Sequence, residues 1–461
     1  MAGPPPLRAP PHRLGYGKTM QILSGLLAAV GCTGAEDGVI PEVECGEGGV
    51  AIAPSADVVT VAEASWPGQS DRDTRLEIHD NRGALLATDW RGDGEQQATL
   101  VGVTPDAVNF AKLVDADGNE LASCTFDTEP LPTTLPELDT TGTAPWDGIV
   151  ATSIMGGAGA SLVVDEEGNI RWYYLTDPGV LYRTRVAPDG GGVYILWEQD
   201  SDGGTDAYVA RISWTGEFER VSGELHPSHD FMVLDDGTLG IITSYMLGDS
   251  ANVGLGAGIA EVSPNGAVTE LWDSRDGYWG DNYNEAEPEK NSVRGNVLRH
   301  DEATDNWWIG LRDVSSIAVV ERDSGETLDR IGGFLSEWSF GADASFQNQH
   351  GWDFVDGGIR LHDNREGSDQ TSRVITLALD AGAQAATLVN EMAHDPPVFV
   401  YAMGDVQVPD NDSTIVSWST SGLLDGFDSN GTLGSSTSLP MGSAFGYVEH
   451  HDAFPGQVEL R

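Results

Sequence analysis

Lysine is almost missing from this chain. In 461 residues it occurs only as Lys18, Lys112 and Lys290, and 24 basic residues in all face 73 acidic ones. The formal net charge of −49 excludes nucleic acid or an anionic membrane surface as a partner, since every such contact would be repulsive. A lysine-poor acidic coat suits a salty medium, where counterions screen its self-repulsion. Cysteine is equally scarce, and three residues are too few for a thiolate zinc site. No Gly-x-Ser-x-Gly elbow and no His-Glu-x-x-His is present, which sets aside the corresponding hydrolases and zincins. No Gly-rich phosphate loop opens a helix, and no dinucleotide fingerprint follows a strand. Beyond Cys32 no apolar run approaches membrane-spanning length.

Glycine, by contrast, is plentiful: 58 Gly and 23 Pro favour short strands and tight turns over helices. The length fits two domains or one large β-domain, with 39% hydrophobic residues to build a core. Residues 1–32 read as an export signal, with an apolar core at 21–31 and small residues leading to Cys32. That ending is lipobox-like and makes Cys32 a lipidation candidate, beside the plainer reading of an ordinary secretory signal. Export would place the protein in the periplasm or at the cell surface, touching the membrane only through such an anchor. It would also put Cys45 and Cys124 where a disulfide can form, although two free buried cysteines fit as well.

Residues 33–49 read as an acidic, Gly-rich tether. Residues 50–128 alternate apolar and polar positions between turn signals, the pattern of a small β-sandwich. Residues 129–144 hold Pro130-Leu-Pro-Thr-Thr-Leu-Pro136, a stiff linker. From 145 to 461 Asp/Asn-Gly turns recur, each before an aliphatic or Trp-containing strand. Turns at 188, 235, 301, 356 and 409 recur at roughly 50-residue intervals, the length of a four-stranded propeller blade. The expected fold is all-β, a six-bladed β-propeller preceded by a small N-terminal β-sandwich.

Polar groups cluster at strand edges inside this repeat: His229-Asp230, Asn291-Ser292, Arg312-Asp313 and Asn348-Gln-His350. Innermost strands of successive blades converge on one channel, so these four places, read as four different blades, can aim at one point. Imidazoles with a guanidinium and an amide suit an anionic tetrahedral group such as sulfate or phosphate. The Trp-rich segments (Trp272, Trp279, Trp307, Trp308, Trp338 and Trp352) either wall an aryl site or pack between blades. His362-Asp-Asn reads as structural, His450-His451-Asp452 as a solvated tail, and the acidic run 200–206 as a hairpin turn rather than a calcium loop.

Three stretches, in order, resemble the bacterial arylsulfotransferases (aryl sulfate:phenol sulfotransferases). They are His226-Pro-Ser-His-Asp-Phe-Met; Asn291-Ser-Val with Ile309-Gly-Leu-Arg312 and Asp323–Gly333; and Phe346-Gln-Asn-Gln-His350 with Ile359-Arg-Leu-His-Asp-Asn364 and Ser372-Arg373. The resemblance implies an exported propeller enzyme that needs no metal, nucleotide donor or other cofactor. Its partners would be a phenolic sulfate donor and a phenolic acceptor, and a homodimer is one assembly it allows. By resemblance His350 would attack the sulfur to give a sulfohistidine, and a second phenol would then accept the sulfuryl group. Arg312 and Asn291 would bind its oxygens, and His229 would hydrogen-bond it or move a proton. One position departs from the family pattern: Glu289 stands where a histidine is usual, two residues before the Asn-Ser. As a catalytic group it would need burial to raise its pKa. A propeller lipoprotein acting only as a binding module is the alternative.

Overall fold

The computed structural model describes residues 43–45, 49–156, 159–199, 206–247, 254–367 and 370–460. The signal segment with Cys32, most of the tether and the acidic run 200–205 lie outside the described residues. Among the described residues no helix is long and apolar enough to cross a membrane.

The chain is all-β, and the described residues fold into eight largely antiparallel sheets. Two sheets come from the N-terminal region. One runs Val43–Cys45, Val50–Pro54, Val61–Pro67, Glu95–Val101, and the other Gln457–Glu459, Gly83–Thr88, Thr74–Asp80, Val108–Asp115, Glu120–Asp127. Alternation builds them: in Thr74–Asp80, Leu76 and Ile78 point inward while Arg75, Glu77 and His79 point outward. Val50, Ile52, Trp66, Leu76, Ile78 and Phe126 share one core between them. Two boundaries differ from the expectation. Val43–Cys45 is a strand and not part of a tether, and the C-terminal strand Gln457–Glu459 returns to pair with Gly83–Thr88. Cys124, on Glu120–Asp127, is disulfide-bonded.

Six further sheets follow one another along the chain. Their first strands are Val180–Val186, Pro227–Val233, Gly295–Asp301, Trp352–Val355, Asp405–Gln407 and, for the sheet of Ile149–Leu175, the late strand Ala444–His451. That last strand pairs with Ile149–Met155, so the C-terminal part of the chain completes the first of the six sheets. His450 and His451 therefore end a strand rather than lie in a solvated tail, and His450 Nε2 bonds Asp147 O at 2.7 Å. Within the expected linker, Asp139–Gly142 is a strand at the edge of the sixth sheet, pairing with Leu433–Ser438.

Strands here are buried on both faces, as Ala160–Asp165 is throughout, because each sheet packs against its neighbours. Glycine lets an aromatic ring approach the adjacent sheet. A Cβ at Gly240 would collide with the Trp307 ring, and one at Gly310 with Trp352. Trp272, Trp279, Trp307, Trp338 and Trp352 are all buried, which is packing rather than an open aryl wall. The Asp-x-x-Gly turns close the hairpins. In one, Gly168 takes φ +82°, and Asp165 accepts from the Asn169 amide N–H at 2.7 Å.

At the centre the first strands of the sheets meet through ions. The Arg183 guanidinium, fully buried, donates to Asp230 Oδ1 and Oδ2 (2.8 and 3.0 Å), Asp405 Oδ2 (2.7 Å) and Val448 O (2.7 Å). Arg299 reaches Asp230 (3.0 Å), Asp405 (3.1 Å) and Trp352 O (2.8 Å), while Arg185 joins Asp230 (3.3 Å) to Glu449 (2.6 Å). All six sheets contribute. Burial alone would neutralise Asp230, but Arg183, Arg185 and Arg299 outweigh it and hold the carboxyl below its ordinary pKa. Asp230→Ala takes one of two carboxylate partners from each of three buried guanidiniums and should cost about 3–5 kcal/mol of unfolding free energy. Asp189→Ala, which breaks an exposed pair with Arg211, should stay within about 1 kcal/mol. Denaturant midpoints of the two variants check the contrast.

Candidate functional site

His229 sits in Pro227–Val233, where pairing with Leu239–Leu247 is interrupted between Pro227 and Phe231. The interruption puts His229 at φ +62°, a left-handed conformation that is costly for a non-glycine residue. Its ring stacks on Tyr182 at 4.8 Å, its Nδ1 lies 2.7 Å from Ser228 Oγ, and its main-chain N–H points at Glu198 Oε1 (3.3 Å). No hydrogen bond to its Nε2 is found among the described residues.

His350 lies just before Trp352–Val355 and is only 1% exposed. Hydrogen-bond accounting fixes its tautomer. Asn364 spends its amide hydrogens on Val400 O and Met403 O, both at 2.8 Å, so its Oδ1 can only accept. His350 Nδ1, 2.8 Å away, therefore carries the proton, as does His362 Nδ1 at 3.3 Å. That leaves the His350 Nε2 lone pair, which accepts the main-chain N–H of Met403 at 3.0 Å. Met403 holds φ +64° in the segment Val400–Gly404, which packs over the imidazole. Gly351, next to His350, has no room for a side chain, because its Cβ would overlap the Asp405 carboxylate of the ionic centre.

Arg312 begins the short turn Arg312–Val314. It donates to Asp313 Oδ1 (3.1 Å) and Tyr401 O (3.2 Å), and its main-chain N–H bonds Arg294 O (2.9 Å). Asn291 is buried and tied to Asn284, its Oδ1 accepting the Asn284 N–H (3.0 Å) and its Nδ2 donating to Asn284 O (3.1 Å). Glu289 belongs to the turn Pro288–Asn291, and its side chain lies outside the described residues. Asn291 and Arg312 flank strands of the same sheet, so the expected four blades reduce to three sheets.

Electrostatics draws three of the expected residues together. Burial lowers His229 to a pKa of about 3, with the Arg294 and Arg312 charges pushing the same way. Burial lowers His350 well below the ordinary value too, aided by Arg312 and opposed by its bond to Asn364. His229, His350 and Arg312 thus share one electrostatic neighbourhood, whereas no hydrogen bond connects Asn291 to either imidazole. Neutral imidazoles beside guanidinium charge can hold an anion and offer it a nitrogen lone pair. Two clefts, of about 880 Å³ around His226 and Trp272 and about 730 Å³ around Leu131 and Arg171, include none of these three residues. Among the described residues no three His, Cys, Asp or Glu side chains are grouped to hold a metal.

Residues 269–437 match the family model described as arylsulfotransferase (ASST). The chain carries an arylsulfotransferase family domain. The matched stretch includes Glu289, Asn291, Arg312 and His350 and ends well short of His229 on the N-terminal side. No curated protein matches the sequence. Solved structures similar to this chain include a protein of unknown function from Bacteroides caccae, at 12% identity and TM-score 0.40, covering 68% of this chain and 98% of that one. A virginiamycin B lyase from Staphylococcus aureus is 7% identical with TM-score 0.37, covering 67% and 98%. With TM-scores below 0.5, neither bears on function.

Sequence reasoning missed Asn364 as the partner of His350, although the Asp-Asn pair after His362 was visible. It also missed Arg294, whose signal is a cation in a chain with so few. Because His229 and His362 (about 4) have lowered pKa values when folded, the unfolded chain binds more protons below the ordinary histidine pKa of about 6.5. Their contribution to stability is complete above that pH and is lost as pH falls toward 4 and 3. Ring resonances followed by NMR should remain those of neutral imidazole at pH 5.5 for both residues. Protonation of either near pH 6.5 would contradict the assignment.

Proposed function

We propose that the protein is an exported aryl-sulfate sulfotransferase, with the six successive sheets as blades of a propeller and the two N-terminal sheets as a β-sandwich. In this reading the His350 Nε2 lone pair attacks the sulfur of an aryl sulfate. The ester S–O bond breaks, its electron pair leaves on the phenolate oxygen, and an N–S bond forms. A second phenol then attacks the sulfur, the N–S bond breaks, and the lone pair returns to Nε2. Arg312 would pair with the sulfuryl oxygens and stabilise the charge that builds up during transfer. The leaving phenolate would take its proton from water, and in the second step His229, neutral at pH 7, would accept the acceptor phenol's proton and release it to water.

The observation that carries the reading is the tautomer of His350. Asn364 fixes the proton on Nδ1 and so leaves Nε2 with the lone pair the first step requires. Attack also requires Nε2 to give up the Met403 N–H, so Val400–Gly404 must shift when a donor binds. Asn291, held by Asn284 through Oδ1 and one Nδ2 hydrogen, would offer its second Nδ2 hydrogen to the sulfuryl group. Glu289 would stand in for the usual histidine only as a neutral acid. The signal segment, a lipid anchor at Cys32 and a periplasmic or surface location complete the proposal. A propeller that only binds sulfated ligands is the second reading, favoured by the closed Nε2.

Incubating the full chain with p-nitrophenyl sulfate, with and without phenol, separates these outcomes. Nitrophenol release that rises with phenol and falls at least about 10³-fold in His350→Ala is expected. Release indifferent to phenol would make the protein a hydrolase, and no turnover with several donors would favour the binding module.

A further inference from the structure

Arg294 has no counterpart in any role assigned so far. It precedes Gly295–Asp301, and its carbonyl accepts the main-chain N–H of Arg312 at 2.9 Å, so the two arginines are neighbours across the sheet. Every polar arginine atom normally finds an acceptor, above all where 73 acidic residues surround 24 basic ones. Arg183, Arg185, Arg299, Arg322 and Arg373 each pair with two carboxylates. Arg294 makes no ion pair and no side-chain hydrogen bond among the described residues, and its Nε is buried without a partner. Its charge is felt at His229, where it is the strongest charge acting on that imidazole.

A partly buried guanidinium without a carboxylate among the described residues is partly desolvated already, so an anion that reaches it gains a partner at little further desolvation cost. Arg312, its neighbour, has its own fork partly committed to Asp313 and Tyr401 O. We propose that Arg294 is the second guanidinium of the anion site, binding oxygens of a sulfate or sulfuryl group held between His229 and Arg312. The proposal rests on the sulfuryl-transfer reading for its chemistry, and it adds a residue to which the resemblance assigned no role. An anion bridging two guanidiniums gains charge-assisted, fork-shaped contacts that a single lysine-like point charge would not provide.

Inorganic sulfate is the probe, so that binding is read without turnover. Its titration into the full chain is followed by the ring resonances of His229 and His350, for the wild type, Arg294→Gln and Arg294→Lys. Sulfate affinity should fall about 10–100-fold in Arg294→Gln, the loss of one charged hydrogen-bonded contact. Arg294→Lys should recover part of it. In Arg294→Gln the His229 midpoint should also move up from about 3, a shift that a purely structural role would not produce. Unchanged sulfate affinity in Arg294→Gln, with wild-type binding intact, would overturn the proposal, as would a wild type that binds no sulfate. If the wild type binds sulfate through Arg294 yet turns over no aryl sulfate, the anion site stands and the transferase reading falls. If turnover proceeds equally in wild type and Arg294→Gln, the reverse holds.

Discussion

Three arginines and three carboxylates meeting at the centre constrain everything around them. Arg183, Arg185 and Arg299 against Asp230, Asp405 and Glu449 balance in formal charge, and they draw on first strands from the sheets that carry them. Desolvating six ions costs several kcal/mol each unless the geometry is close to ideal, so the strands cannot slide along one another without exposing the deficit. The main chain is bound into the same network. Leu298 N–H and Val448 N–H donate to Asp230 and Asp405, and the Tyr447 hydroxyl donates to Asn296 O. Register at the centre is therefore set by charge, and register farther out by apolar burial.

The candidate site is built on the rim of that network. His229 precedes Asp230 directly, and the demand that Asp230 turn inward toward Arg183 is what leaves His229 in a left-handed conformation with its ring on Tyr182. His350 stands one residue before Gly351, which must lack a side chain because Asp405 occupies the space. The ions thus aim two imidazoles without touching them. Next to that centre, the main chain of Met403 closes over His350 Nε2.

Much of this was legible in the sequence and some of it was not. The all-β class followed from Asp-x-x-Gly turns and alternating strands, and Asp165–Gly168 folds as its pattern implies. His229, Arg312 and His350 were picked out by ordered spacing, and they do share one electrostatic neighbourhood. The ionic centre escaped because Arg183-Thr-Arg185 lies in a strand and reads as an outward polar face; only the third dimension shows both arginines turned inward. Strand exchange escaped for a similar reason. Asp139–Gly142 and Gln457–Glu459 are short and weakly patterned, and they are strands only because distant edges stand ready to pair with them. What held Asn291 was not legible either: its pairing with Asn284, through Oδ1 and one Nδ2 hydrogen, appears only in the folded loop.

The same charge economy separates structure from function among the arginines. Where Arg183 or Arg299 enters the interior, carboxylates follow, and their pKa values shift to keep the pairs ionised. Around His229 and His350 the pattern inverts: the imidazoles are held neutral, Arg312 is only partly satisfied, and among the described residues the Arg294 side chain has no hydrogen-bond partner. In a chain carrying −49, an acid could occupy that place at little cost in composition. That no carboxylate among the described residues pairs with the partly buried Arg294 makes physical sense if the missing charge arrives with the ligand. A permanent carboxylate there would repel any sulfate before it reached the Nε2 lone pair. The centre of the molecule and its candidate site thus obey one rule from opposite sides, with positive charge neutralised by the fold in the first and reserved for an anion in the second.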